Sequence, residues 1–347
     1  MSEPITVSVI IDTFEQGPFV AAAVASALAQ RAVREGQGEV IVVDDGSTDR
    51  TPEILAGFAS AIQVIRQPNG GQAAALNRGI AGARGTWLAF LDGDDEWGPE
   101  YLDAALSALE SSPDCDAGFS GVLTVDAAGR PLGQDPSPLD WTMLEALLRE
   151  SDALGAGRVS WMPPTSGLCV RRSLLAVLVE GETAGPVPAQ YRIAADGWLQ
   201  LCIASHARRV VPVGGRHVRL RVHGANRWTG ADEFSAPIAQ ARASLYAELG
   251  RSAESLASKA LRDISGLRRA LRANAGEFGV WAAILAGQRV RALGLALVWR
   301  PAPWVTSTLH RAFRRLQLVL ATVVPVGVYR HLRALWRGRH ADAGTPP

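Results

Sequence analysis

The sequence predicts an α/β protein with a mostly parallel sheet covered by helices on both faces, followed by an all-helical extension. Three observations carry this. Short β-branched runs alternate with helix-length segments through the first hundred residues, and polar turns follow the strand-like runs. Charge divides along the chain: from Arg251 onward there are 16 basic and 4 acidic residues, against 19 and 30 before it. Strands alternating with helices need crossover connections, which give parallel pairing and a sheet covered twice. Opposite charge on two parts of one chain points to different surfaces and different partners. We therefore expect one domain over residues 1–233 and a basic helical region over 234–347.

The elements follow in order. "ITVSVII" (Ile5 to Ile11) is a first strand, and the alanine-rich Phe19 to Gln30 a helix opened by Gly17-Pro18. Val40 to Val43 is a second strand, followed by a helix with Pro52 in its first turn. "IQVIRQ" is a third strand, "GGQAAALNRGIAGA" a helix opened by glycines, and "TWLAFLD" a fourth strand. Beyond it we expect a helix at Tyr101 to Leu109, a strand at Ala117 to Val125, a loop at Ala127 to Pro138 and a helix at Trp141 to Leu148. A loop, short strand and helix lie in "WMPPTSGLCVRRSLLAVL", a loop entering a helix in "YRIAADGWLQLCIASHA", and strands in "RRVVPVGGRHVRLRVHGANRW". Ala236 to Phe278 reads as one or two amphipathic helices.

Composition excludes several classes. With 48% hydrophobic and 20% charged residues the chain is an ordinary globular one. Cys115, Cys169 and Cys202 lack any C-x-x-C spacing, which argues against a disulfide framework or zinc site and for reduced core thiols. The start "MSEPITVSVIIDTF" has no basic region before its apolar stretch, so we expect no signal peptide and a cytoplasmic protein. The longest uncharged apolar run of the C-terminal region, Leu316 to Tyr329, has 14 residues and contains Pro325. A span needs about 20, so no transmembrane helix is expected. No nucleic-acid motif accompanies the basic charge.

In an open parallel sheet, ligands bind beyond the carboxyl ends of the strands. Asp12 to Glu15, Asp44 to Asp49, Pro68 to Gln72 and the cluster "DGDDE" at Asp92 to Glu96 all occupy such ends. Crowded carboxylates repel one another and lose hydration when buried, so this cluster needs a positive partner. Asp92 and Asp94, one residue apart, can face a single hard cation such as Mg²⁺ or Mn²⁺ that keeps open positions for phosphate oxygens. Helix capping is the plainer reading of these aspartates. An EF-hand is excluded because Trp97 stands where the loop requires glycine. A dinucleotide oxidoreductase is disfavoured because "IDTFEQG", without G-x-G-x-x-G, follows the first strand.

The stretches "VSVIIDTFEQGPFVAAAVASALAQ", "EVIVVDDGSTDRTPEIL", "NGGQAAALNRGIAGARGTWLAFLDGDDEWGPEYL", "ADGWL" and "VHGAN" resemble the family 2 glycosyltransferases, inverting enzymes of GT-A type. The resemblance covers roughly residues 5 to 230. It implies a GT-A-like fold, a nucleotide-sugar donor and a Mn²⁺ or Mg²⁺ ion. By it, Asp92-Gly93-Asp94 matches the D-x-D motif, with Asp94 on the metal and Asp92 and Gly93 at the donor. Asp45 matches the aspartate that contacts the base, Thr13 and Phe14 a Thr-Tyr pair beside the nucleotide, and Glu15 closes that loop. Gly71 is expected at the donor site, and Asn77 in a structural or donor-lining role rather than a catalytic one. Asp196 matches the catalytic base, although the acid that often precedes it is Ala195 here. His223 is placed for a further metal or diphosphate contact, with Asn226 nearby.

The absence of a Q-x-x-R-W motif favours addition of one sugar. The function expected is metal-dependent, inverting transfer from a nucleotide sugar, a UDP-sugar in our reading, to a lipid-linked or saccharide hydroxyl in cell-surface polysaccharide or glycolipid synthesis. The alternative is a catalytically inactive nucleotide-sugar binder, whose support is the acid missing at Ala195. Arginine-rich amphipathic helices with tryptophans suggest peripheral contact with an anionic inner membrane leaflet.

Overall fold

The computed structural model describes residues 5–112, 114–132, 164–176, 185–192, 195–224, 235–261, 263–301, 308–326 and 328. The expected helix 141–148, Asn226, the end of the loop 127–138 and nearly all of the loop 151–164 lie outside the described residues.

Eight strands form one sheet: β1 (Val7–Thr13), β2 (Gly38–Asp44), β3 (Gln63–Arg66), β4 (Trp87–Asp92), β5 (Glu96–Trp97), β6 (Cys115–Asp126), β7 (Leu168–Arg171) and β8 (Arg209–Val222). Their order is β3-β2-β1-β4-β7-β6-β8-β5. The first four are parallel, as alternation with helices requires. β7 enters antiparallel between β4 and β6, and β5 pairs antiparallel with β8. This half therefore mixes directions.

β1 shows why both faces are covered. Its residues alternate across the sheet, and Val7, Val9 and Ile11 pack with Val20, Ala23, Val24 and Ala27 of the helix Val20–Leu28. Ile10 points the other way, against Gly79 of the helix Gln72–Gly82. With both faces buried, the strand is mostly apolar and gains about 1.5–3 kcal/mol for each large side chain removed from water.

The strands expected in "RRVVPVGGRHVRLRV" are one strand, β8. Its pairing with β6 steps from Ser120↔Val213 to Gly121↔Arg216, so Gly214-Gly215 forms a bulge that bends the strand without ending it.

The chain divides into two compact units. The described residues of the first end at His223. In the second, the expected one or two helices are two, Ala236–Leu256 and Ser265–Leu285, followed by Arg289–Val298 and Thr308–Val323. Its core gathers Ala239, Val280, Trp281, Ile284, Ala292, Ala296, Trp299, Leu318 and Ala321. Trp299 donates its indole N–H to Ala273 O at 2.8 Å. No helix among the described residues is long and apolar enough to cross a membrane.

Candidate active site

Backbone register builds the site first. β1 lies between β2 and β4, and parallel pairing sets Asp12 beside Asp92 and Thr13 beside Asp44. Asp12 and Asp92 each keep a buried carboxylate oxygen, Oδ1, with no hydrogen-bond partner. Burial, then the charge of Asp94, pushes the Asp12 carboxyl up to about 7, against hydrogen bonds from Gln72 and Asp92. Asp92 is raised well above the usual carboxylate range by burial and by Asp12, Asp95, Asp94 and Asp196. These carboxylates are charged only at a cost, which a bound cation would offset.

The outer half of the cluster has a positive partner from the protein itself. Arg221, buried on β8, donates its backbone N–H to Asp95 Oδ1 at 2.9 Å and its Nε to Asp94 O at 3.0 Å, and its guanidinium pairs with Glu96. Ser166 Oγ donates to Asp95 Oδ2 at 2.6 Å and accepts from the Asp92 N–H at 3.1 Å. Both Asp95 oxygens are thereby engaged, and Asp95 supports the cluster from behind. Burial and the neighbouring Asp94 still raise its pKa well above the usual range. His223 stands two residues beyond Arg221, with Nε2 at 3.0 Å from Asp94 Oδ2 and its ring 4.5 Å from the Phe19 ring. The Arg221 guanidinium lies 5.2 Å from the Phe19 ring, a cation–π contact, so the one aromatic side chain packs against both Arg221 and His223.

Asp196 opens the helix Ala195–His206, where Asp is favoured. Its Oδ1 accepts from the Gly197 N–H at 2.8 Å, and burial raises its pKa. Gln72 holds this segment: its Oε1 accepts the Ala195 N–H at 3.0 Å, its own N–H reaches Arg192 O at 2.8 Å, and its side chain also bonds Asp12. One glutamine therefore ties the segment that carries Asp196 to the acidic cluster. Asn77 reinforces the tie with two bonds to Val187, donating Nδ2 to its carbonyl at 2.7 Å and accepting its N–H at 2.9 Å.

The remaining expected donor-side residues lie around this core. Asp45 is buried and accepts from Gln67 Nε2 and the Gly70 N–H at Oδ1, and from the Gly71 N–H at Oδ2. It holds the turn from which Gln72 projects. Gly71 has φ +84°, and a Cβ there would lie 2.8 Å from Arg192, so glycine is required twice over. Thr13 is buried and Phe14 is exposed. Glu15 has φ 56°, a strained conformation for a non-glycine residue, held by Ser47 Oγ and by Thr48 on its carboxylate. At Gly93 a Cβ would meet Thr13 Cβ at 2.8 Å and Gln16 Oε1 at 2.4 Å, so only glycine lets the turn between Asp92 and Asp94 lie on the first loop.

These residues suit a hard divalent cation. One oxygen each of Asp92, Asp94 and Asp95 lies within 4.8 Å of the others, the donors are carboxylates, and the buried Asp92 oxygen lacks a partner. Sequence reasoning missed Arg221, Ser166 and Gln72. Arg221 had one signal: in "RLRVH" it shares a strand face with His223 by the two-residue period.

The profile of Glycosyl transferase family 2 matches residues 8–135. An uncharacterized glycosyltransferase of Nostoc sp. is 32% identical over 230 residues, covering 65% of this chain and 67% of the relative. The chain belongs to glycosyl transferase family 2. The chain is also similar to the succinoglycan biosynthesis protein ExoO of Rhizobium meliloti, 38% identical over 108 residues, a match that spans 30% of each chain. Among solved structures, Staphylococcus aureus TarS 1-349 in complex with UDP-GlcNAc superposes with a TM-score of 0.59 at 17% identity, over 96% of this chain and 92% of that one. The mannosyltransferase PcManGT from Pyrobaculum calidifontis, in complex with GDP-Man and Mn²⁺, gives 0.57 at 19% identity, over 92% and 86%. The family 2 chain thus has a GT-A-like α/β fold followed by a helical region.

Proposed function

We propose that this glycosyltransferase moves one sugar, with inversion and dependence on a divalent cation, from a UDP-sugar to a hydroxyl of a lipid-linked or saccharide acceptor. The observation that carries the reading is a pair of separated roles at one crevice. A carboxylate cluster with an unsatisfied buried oxygen suits a cation, and Asp196, held from the other side by Gln72, contributes to the electrostatic field on Asp92. The neighbours solved with UDP-GlcNAc and with GDP-Man and Mn²⁺ support a nucleotide-sugar donor and a divalent ion.

Asp94, with Asp92 and His223, would hold Mn²⁺ or Mg²⁺. A cation bound there supplies positive charge to the departing diphosphate. Asp196 takes the acceptor hydroxyl's proton as the new C1–O bond forms on the face opposite the leaving group. Its Oδ1 is occupied by the Gly197 N–H, which leaves Oδ2 for that proton. Burial raises its pKa and makes the carboxylate a stronger base, and general bases of this kind contribute about 10²–10⁴-fold. The region 234–347 brings the enzyme peripherally to the cytoplasmic leaflet, consistent with a role in cell-surface polysaccharide or glycolipid synthesis.

Calorimetric titration with UDP, with and without Mn²⁺, followed by turnover of a panel of UDP-sugars, tests the proposal. Mn²⁺-dependent binding and release of UDP are expected. Binding without turnover of any donor would favour an inactive binder, and equal binding in EDTA would remove the metal from the site.

A further inference from the structure

We infer that the outward face of the helices Arg289–Val298 and Thr308–Val323 is a docking surface for an anionic lipid bilayer. This deepens the membrane contact in the proposed function and names its residues. Arg289 Nη1 donates to Val323 O at 3.0 Å and the Arg315 guanidinium to Leu297 O, so residue 289 is level with 323, and 297 with 315. The two helices therefore run antiparallel, side by side. Each buries small or apolar side chains in the same core, Ala292 and Ala296 from one, Leu318 and Ala321 from the other.

Their opposite faces are apolar yet open to solvent. Val290 is 89% and Val298 75% exposed, and Leu297 beside them, with Leu316, Leu320 and Val323 on the second helix, is exposed as well. Positions 290, 297 and 298, and 316, 320 and 323, each fall on one helical face. From Val290 to Val298 the strip runs about 12 Å at 1.5 Å per residue. It is bordered by cations: Arg289 and Arg291 flank Val290, and Arg300 and Arg315 stand at the other end, all exposed. No Asp or Glu occurs between Glu277 and Asp342.

Apolar side chains framed by arginines match the acyl boundary and anionic headgroups of one leaflet. A second copy is a poor occupant, because two such faces would bring arginines together with no carboxylate between them.

The test is flotation of the full chain with vesicles of phosphatidylglycerol and of phosphatidylcholine. Binding to the first and not the second, weakening as salt is raised, is expected. Leu297→Asp with Leu320→Asp, both at exposed positions, should lower partition about tenfold or more, while Arg50→Ala, in the other unit, should not. Parental flotation by the double variant overturns the inference, as do equal binding to both lipids and failure of the parent to float. A dimer in sedimentation that the double variant dissolves assigns the face to a second copy and overturns it too. Should the double variant not fold, Arg291→Glu with Arg300→Glu replaces it, again with a loss of about tenfold or more. UDP binding with Mn²⁺ is measured on the same samples: its loss in the parent would count against the transferase reading and leave the vesicle result standing.

Discussion

In the proposed mechanism Asp196 meets two demands with a single carboxylate: burial raises its pKa, and its Oδ1 bond to the Gly197 N–H leaves Oδ2 for the acceptor's proton. Asp196→Asn should lower kcat by about 10²–10⁴-fold with UDP binding retained, and unchanged turnover would remove Asp196 from the mechanism. Its pH profile follows in sign. A base must be ionised to act, so kcat falls as pH drops through the raised pKa, and that acidic limb should lie above the ordinary aspartate range near 3.8. An acidic limb at the ordinary value would contradict the burial seen here. Asp94→Ala should weaken UDP binding measured with Mn²⁺ and leave the weaker binding in EDTA unaltered. The acids themselves were legible because they crowd one strand end in sequence. Arg221 and Ser166 were not: they reach Asp95 from 126 and 71 residues away, and no local pattern encodes such a choice.

Four strands and the three longer helices of the first hundred residues could be placed from hydrophobic period and turn signals, and β1, β2 and β4 are buried as their apolar runs state, whereas the short helix Arg31–Arg34 and the two-residue β5 are too brief to show a period. What period leaves open is how elements are tied. The helix Gln72–Gly82 grips the segment 187–195 through Gln72 and Asn77, and Asp45 braces the turn before it. Asp45 and Asn77, expected at the donor, thus have their side chains engaged with the chain's own backbone. Gln72→Met keeps the length of the side chain and removes its hydrogen bonds. It should lower kcat about tenfold or more while donor binding stays within about twofold, since it acts through the placement of Asp196. A fall in donor affinity alone, with kcat intact, would refute that placement role. Gly71→Ala meets both a positive φ and Arg192, and should cost roughly 1–3 kcal/mol in denaturant unfolding.

For the whole molecule, buried carboxylate oxygens without partners on Asp12 and Asp92 predict a protein that gains stability from its ligands. Mn²⁺ and UDP together at about a hundred times Kd contribute about 2.7 kcal/mol. For a unit of this size the melting point should rise roughly 5–10 °C, and EDTA should abolish the rise. A melting point indifferent to both would mean that the cluster holds no cation. By itself the sequence determined the alternation that makes a doubly covered sheet, the acids at its carboxyl ends and the basic C-terminal charge, because all three are local patterns of side chains. Only the tertiary structure decided which cation closes the cluster and which carboxylates stay open. Arg221 on β8 and His223 just past its end come more than a hundred residues along the chain and engage Asp95, Glu96 and Asp94. Asp12 and Asp92, paired by strand register, each keep a buried oxygen without a partner, because a hydrogen bond across the fold depends on distance in space and not on distance in sequence.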